Sequence, residues 1–327
     1  MENYISKILI VFFLLFCLSA NAQLDSTRIK TFDDQLQIGL FLSDNDATAN
    51  FYSTNNNHYV NQVYVIKPTL GVQFAYNGAI IALGTGIPIP SLQFNTEDYK
   101  ITDEININGY FSRPKYILWG AIRQFEGADY NQLGLLHYNN ANFLNLAGSF
   151  MYIFNENKYS FRAAYRQADQ QLKSGGSFLA KGILNHMSLG DSTLFSLGSE
   201  GFRGLTANGG SLLGGYGYTL NFTENLFISA LILGGVDIQR VSGTTEPILT
   251  ERSPSFTSFA PTYDFKSSIG YNTDKFYISM LFSVDNRLSI RNINDEIDFD
   301  YNFLKIDLRF GTRIDAPKIL TKVPFLN

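Results

Sequence analysis

The sequence predicts an all-β fold, an antiparallel up-and-down transmembrane β-barrel of about 12–14 strands after a cleaved signal peptide. Three observations carry that expectation. Apolar and polar residues alternate with a period of two along runs longer than ordinary globular strands. Tight turns alternate with longer polar connections, the rhythm of an outer-membrane barrel. An export signal opens a chain that then holds no further cysteine and no apolar run long enough for a membrane helix.

The N-terminus carries the export signal. Lys7 and the apolar run Ile8 to Leu18 lead into Ser19-Ala20-Asn21-Ala22, with small residues placed for a cut before Gln23. Residues 1–22 are therefore expected to be a signal peptide, 23–315 the barrel and 316–327 a C-terminal tail. Cys17 follows the bulky Phe16, which argues against lipidation. Without cysteine the exported chain cannot use disulfides and must rest on hydrogen-bond ladders and apolar burial. Lys and Arg number 25 against 29 Asp and Glu, so no basic surplus neutralises phosphates, which weighs against nucleic acid as a partner.

The strands follow in order. Gln35 to Leu42 is a weak first candidate. Thr69 to Tyr76 puts Leu70, Val72, Phe74 and Tyr76 on one face, and Asn77-Gly78 then supplies a hairpin turn. Ile101 to Phe111 alternates up to the turn at Arg113-Pro114. After Asn155 to Lys158, a further strand is expected with Phe161, Ala163 and Tyr165 opposite Arg162, Ala164 and Arg166. Leu226, Ile228, Ala230, Ile232, Val236 and Ile238 form one row whose opposite row is mixed. Phe276 to Arg291 is the clearest run, with Phe276, Ile278, Met280, Phe282, Val284, Leu288 and Ile290 sharing a face. Phe299, Tyr301 and Phe303 lead into Ile306, Leu308 and Phe310, with a phase slip expected between Phe303 and Leu304. Longer connections are expected at 43–61, 93–98, 127–140, 201–210 and 241–253. A turn at Gly190-Asp191 with a short strand Thr193 to Ser199 would give fourteen strands; without it and without the first candidate, twelve remain. Tyr64, Tyr76, Tyr159, Tyr271 and Tyr277 sit near strand ends, as in aromatic girdles.

No residue set announces catalysis, a metal or a cofactor. His58, His137 and His186 lack ligand spacing. Asp44-Asn45-Asp46 begins like a calcium loop, but Ala49 stands where that turn needs glycine. Asp295, Glu296, Asp298 and Asp300 read as a solvated outer loop. The polar faces instead nominate lumen-lining residues: Asp285 and Arg287 on one strand, Lys305, Asp307 and Arg309 on its neighbour, Asp264 and Lys266 one strand back, and Arg162 and Arg166 further off. Mixed signs in nearly equal number favour salt bridges filling the lumen over a selective channel.

The segment YSFRAAYRQADQQLKSGGSFLAKG, residues 159–182, is the most singular in the chain. Its simplest reading is a hairpin, and the alternative is a constriction or a docking edge. Tyr159-Ser160-Phe161-Arg162-Ala163-Ala164 and Lys173-Ser174-Gly175-Gly176-Ser177-Phe178 resemble the signature of the family catalogued as domain of unknown function 4421, exported barrel-like proteins of Bacteroidota. Gly175 departs from the commoner alanine. That resemblance implies an outer-membrane barrel and supplies no reaction or ligand. The layout is also similar, in architecture only, to barrel components of the type IX secretion and gliding machinery. The expected function is a non-enzymatic outer-membrane barrel, passing small solutes or lipids or else serving with a plugged lumen as an assembly component. Its expected partners are membrane lipid and cell-envelope proteins.

Overall fold

The computed structural model describes residues 24–53, 59–65, 68–87, 103–131, 135–197, 200–246, 255–293 and 297–317. The predicted signal peptide and most of the predicted tail lie outside them. The elements in chain order are β1 (Ile29–Thr31), β2 (Gln35–Ser53), β3 (Tyr59–Val65), β4 (Thr69–Tyr76), β5 (Ala79–Gly86), β6 (Asp103–Ser112), β7 (Tyr116–Asn131) and β8 (Leu135–Ile153). Then come a one-turn helix α1 (Phe161–Tyr165), β9 (Asp169–Gln171), β10 (Gly175–Leu197), β11 (Glu200–Asn221), β12 (Leu226–Glu246), β13 (Ser255–Asn272), β14 (Phe276–Ile293) and β15 (Ile297–Asp315).

The chain folds as a closed twelve-strand antiparallel barrel. β3 and β4 lie in line along the same edge of β2 and act as two halves of one wall strand. Closure comes from β15, all of which pairs with β2 from Ile297 opposite Ser53 down to Asp315 opposite Gln35. The weak first candidate is therefore a full wall strand, longer than its alternation suggested. The proposed turn at Gly190-Asp191 is instead an irregularity inside β10, whose pairing to β11 resumes at Phe195. Connections expected at 43–61, 127–140 and 201–210 are largely strand, because polar residues beyond the membrane band still pair in the wall.

The hairpin at Asn77-Gly78 forms as expected. Both residues have positive φ, 41° and 83°, which a two-residue hairpin turn of this kind requires. At Gly78 a Cβ would run into the Ser112 carbonyl.

The outer face is apolar. Leu184, Leu212, Ile232 and Phe259 are each more than 60% exposed, a cost that only a lipid surroundings removes over so wide a belt. Exposed aromatics Phe154, Phe178, Phe222 and Phe276 crowd the end with the short turns. Two of the proposed girdle residues point the other way. Tyr159 and Tyr277 are buried in the lumen, where their rings lie against glycines, Gly217 for Tyr159 and Gly39 and Gly311 for Tyr277.

The phase slip falls on β14, not β15. Phe299, Tyr301 and Phe303 are fully buried on the same inward face as Lys305, Asp307 and Arg309, so β15 keeps its phase. β14 shifts register between Asn286 and Leu288, which turns Ile290 inward opposite Phe299. Aromatic residues pointing into a lumen look, in sequence, like a lipid face.

Candidate functional site

The decisive feature lies inside the barrel at its short-turn end. Residues 154–174 do not form a hairpin; they turn into the lumen and fold there. Tyr159 to Arg166, expected as a strand, contains α1 instead. Ser160 caps it, its Oγ accepting from Ala163 N at 3.0 Å. Two alanines and arginine in sequence suit a helix once the cap is set. β9 follows and pairs antiparallel with β1, Ile29 opposite Gln171 and Thr31 opposite Asp169. This small unit is a plug.

Its own core is ionic. Arg162, 1% exposed, donates to Asp33 and lies 3.1 Å from the Asp169 carboxylate, which is 0% exposed. Burial works against the Arg162 cation, but Asp169 and Asp33 outweigh it and hold its pKa above the ordinary arginine value. Ser160 Oγ donates to Asp169 at 2.7 Å, and Gln171 accepts from Ser160 N at 3.0 Å.

The wall grips the plug through its main chain. Arg309 Nη1 donates to Tyr165 O at 2.8 Å, Ser268 Oγ to Ala164 O at 2.7 Å and Asn272 Nδ2 to Asp169 O at 2.8 Å. Arg313 donates to Gln167 O. In return Gln170 Nε2 donates to Asn225 Oδ1 at 2.8 Å and Asn272 O at 3.0 Å. Phe161, Ala164 and Tyr165 complete an apolar core with inward residues of the wall, among them Leu179, Leu213, Leu231, Leu233 and Leu281.

The motif at Lys173 to Phe178 is the return from plug to wall. Ser174 Oγ accepts from Asn221 N at 2.9 Å and Ser177 Oγ from Asn155 N at 2.8 Å, pinning both ends of the excursion. Lys173 is exposed, and Phe178 faces outward, edge-on to Tyr216 at 5.1 Å. At Gly175 a Cβ would strike the Lys158 carbonyl, and at Gly176 it would lie 2.7 Å from Gly217 O. Both positions are set by close backbone approach.

Above the plug the inward faces of β13, β14, β15 and β2 form level tiers by register. One tier is Lys266, Ser283, Lys305 and Asn45; the next toward the plug is Ser268, Leu281, Asp307 and Ser43. Asp264 accepts from Lys181 at 2.6 Å and Lys266 at 2.7 Å, and Asp307 from Arg309 at 2.5 Å with Lys305 at 3.2 Å. Asp285 is buried opposite Asp264. Arg166 sits on the plug with its guanidinium 3.4 Å from the Tyr110 ring centre. The structure thus brings Asp264, Lys266, Asp285, Lys305, Asp307, Arg309 and Arg166 into one lumen, with Arg162 inside the plug. The Arg287 side chain lies outside the described residues, as do those of His58 and His137.

Higher still, aromatics cross the lumen. Phe143 and Tyr301 meet at 4.6 Å between ring centres, and Arg123 on β7 lies 4.1 Å over Phe303 on β15. Beside them Asp237 accepts from Ser211 at 2.6 Å and from Gln239 at 2.7 Å. Sequence reasoning missed Lys181 and Arg313, although Arg313 continues the spacing of Lys305, Asp307 and Arg309. Asp33 and Asp169 gave no signal, since nothing in their neighbourhood alternates.

A family model described as Domain of unknown function (DUF4421) matches residues 23–313. The chain belongs to that family. The DUF4421 match takes in the plug, its return and every wall strand. A search of curated proteins gives no match. Among solved structures, this DUF4421 barrel is similar to the outer membrane protease OmpT from Escherichia coli, with 8% identity, 86% of this chain and 98% of that chain covered, and a TM-score of 0.43. It is similar to the P. putida toluene transporter TodX, at 9% identity, 87% and 91% coverage and a TM-score of 0.23. It is also similar to the attachment invasion locus protein Ail of Yersinia pestis, at 10% identity, 85% and 99% coverage and a TM-score of 0.21.

Proposed function

We propose that this protein is a non-enzymatic outer-membrane barrel whose lumen is closed, a fixed envelope component and not a diffusion pore. The single observation behind the reading is the plug: wall side chains from β13 and β15 donate to its main-chain carbonyls, so it is bonded as part of the fold. The apolar belt and the exposed aromatics at the short-turn end support a place in the outer membrane, with that end periplasmic. The matching of lumen acids supports a non-enzymatic role. Asp264 pairs with Lys181 and Lys266, and Asp307 with Lys305 and Arg309, which makes both of them structural counter-ions.

The test is conductance. Purified barrel in planar bilayers is expected to give no discrete current steps, whereas a variant with residues 159–172 replaced by a short Gly-Ser linker is expected to conduct. Steps from the unaltered protein would overturn the closed-lumen reading.

A further inference from the structure

The plug is not held alike on all sides. The wall bonds to its carbonyls come from β13 and β15. On the flank toward β2, β4 and β5, another segment stands between plug and wall. Residues 25–34 run alongside β9 before the chain turns up into β2, the turn closed by Gln35 N donating to Phe32 O at 3.1 Å. This strap contains β1 and is lightly held. Its ladder to β9 has three residue pairs, extended by Leu172 N donating to Arg28 O at 2.7 Å. Lys30 meets Asp274 at 2.6 Å, but both side chains are exposed, so water screens the pair and it contributes little. Two apolar anchors do most of the holding. Ile29 is 1% exposed and Phe32 3%, the Phe32 ring lying 3.9 Å from the Arg313 guanidinium.

Behind Phe32 and Asp33 lies a cavity of about 10 Å³, room for about one water, also lined by Gln37 and Ala75 of the wall and by Arg162 and Ala168 of the plug. A row of amides rises from it. Gln35 and Gln37 are successive inward positions of β2, and Gln73 on β4 stands one step higher, opposite Gly39. Gln35 Oε1, Gln37 Oε1 and Gln73 Nε2 are buried without a protein partner. Such groups are costly while dry and gain by meeting water. The strap separates the lowest of them from the short-turn mouth, where the Asp33 side chain is 35% exposed.

We propose that residues 25–34 are a gate, a strap whose displacement opens a water path between the plug and β2 and β4 while α1 and β9 stay bonded to β13 and β15. Two opposing terms set its balance. Burial of Ile29 and Phe32 favours the closed state, and hydration of the amide row favours the open one. The edge of β9 that β1 leaves is then open to the mouth, where water replaces the lost partners. A short ladder held by two side chains belongs to the low-stability end of a fold, where local opening precedes global unfolding. The inference rests on the closed-lumen reading and adds how that closure is released.

Thiol reactivity tests it. In purified full-length barrel, Gln37→Cys and Ala75→Cys report on the strap flank, and Ser279→Cys, at a buried position opposite Arg309, reports on the bonded flank. Each is treated with a water-soluble cationic methanethiosulfonate, with the strap unaltered and in the strap variant I29S/F32S. Both strap substitutions lie before β2 and touch no wall strand, so heat-modifiable migration should persist. The variant is expected to raise the rates at Gln37→Cys and Ala75→Cys at least about tenfold, the population change that loss of one buried apolar side chain brings. Ser279→Cys should stay within about twofold, because the plug remains in place. Residues 158–174 should stay protease-resistant, and planar bilayers should show current steps. Unaltered rates on the strap flank, a variant without current steps, or an equal rise at Ser279→Cys, the sign that the whole plug has left, would each overturn the gate and leave the closed-lumen reading standing. Current steps from the unaltered protein would overturn that reading, and the gate with it.

Discussion

Replacing Arg162 with methionine should unfasten the plug and leave the wall standing. Arg162 is 1% exposed and Asp169 0%, so the substitution strands a carboxylate with Ser160 Oγ as its remaining close donor. Breaking a buried pair from one side costs about 3–5 kcal/mol. The wall's hydrogen bonds to the plug, from Arg309, Ser268, Asn272 and Arg313, contribute about 1 kcal/mol each, somewhat more for the charged donors. Those bonds and the buried contacts of Phe161 and Tyr165 with the wall leucines together exceed this loss, so R162M should open the plug a small but measurable fraction of the time. Limited proteolysis is the assay, with cleavage expected between residues 158 and 174, together with intermittent conductance in planar bilayers. Heat-modifiable migration should persist, because no wall ladder is touched. The double variant R162M/D169L removes both charges and should recover most of the protease resistance. D33N should do little, since Asp33 is 35% exposed and water takes over its role. Protease resistance of R162M equal to that of the parent, or a double variant no better than the single, would refute this account of the plug.

Other substitutions separate the two faces of the wall. Gly235→Ala drives a Cβ into the Leu212 carbonyl and should lower stability by about 1–3 kcal/mol in denaturant titrations, while Gly234→Ala, with nothing within 4 Å, should be neutral. Ile232→Lys, on the lipid face, should cost about 2–4 kcal/mol if its level is the bilayer midplane, read as lost folding yield into vesicles. Phe303→Ala should cost about 3–5 kcal/mol by emptying the ring that Arg123 covers, yet give no conductance because the plug beneath remains.

What the sequence disclosed was set by where side chains meet a single environment. Lipid-facing rows such as Ile228, Ile232 and Val236 report their face directly, since only apolar residues are tolerated there. The lumen is different, because it holds water, salt bridges and packed protein at different heights. Lys305, Asp307 and Arg309 were legible as inward, but Phe299, Tyr301 and Phe303 on the same face read as a change of phase. Segment 159–171 was misread for a related cause. Tyr159, Phe161, Ala163 and Tyr165 happen to alternate with polar residues, but all of 161–165 is buried within the barrel, where a short helix capped by Ser160 satisfies its own backbone. Nothing local in Asp33 or Asp169 distinguishes a buried partner of Arg162 from a surface acid.

The apolar side chains low in the lumen explain why a plug exists at all. The row opposite Ile228, Ile232 and Val236 contains Phe227, Leu231 and Leu233, too apolar for the wall of a water channel. Those side chains are buried, as are Leu179, Leu213 and Leu281 at similar depth. An eight-strand barrel can fill its interior with side chains alone, but twelve strands leave a wider bore. Exposing that many leucines to water would cost about 25 cal/mol for every Å², so the bore must be filled by chain. The longest described excursion at the short-turn end runs from β8 to β10, and it supplies Phe161, Ala164 and Tyr165 to those leucines. Its backbone then needs partners inside the barrel, and Ser268, Asn272, Arg309 and Arg313 stand on the inward face of β13 and β15 to provide them. Apolar inward rows low in the wall and polar donors in phase beside them are thus two halves of one requirement: each is costly without the folded segment that meets both.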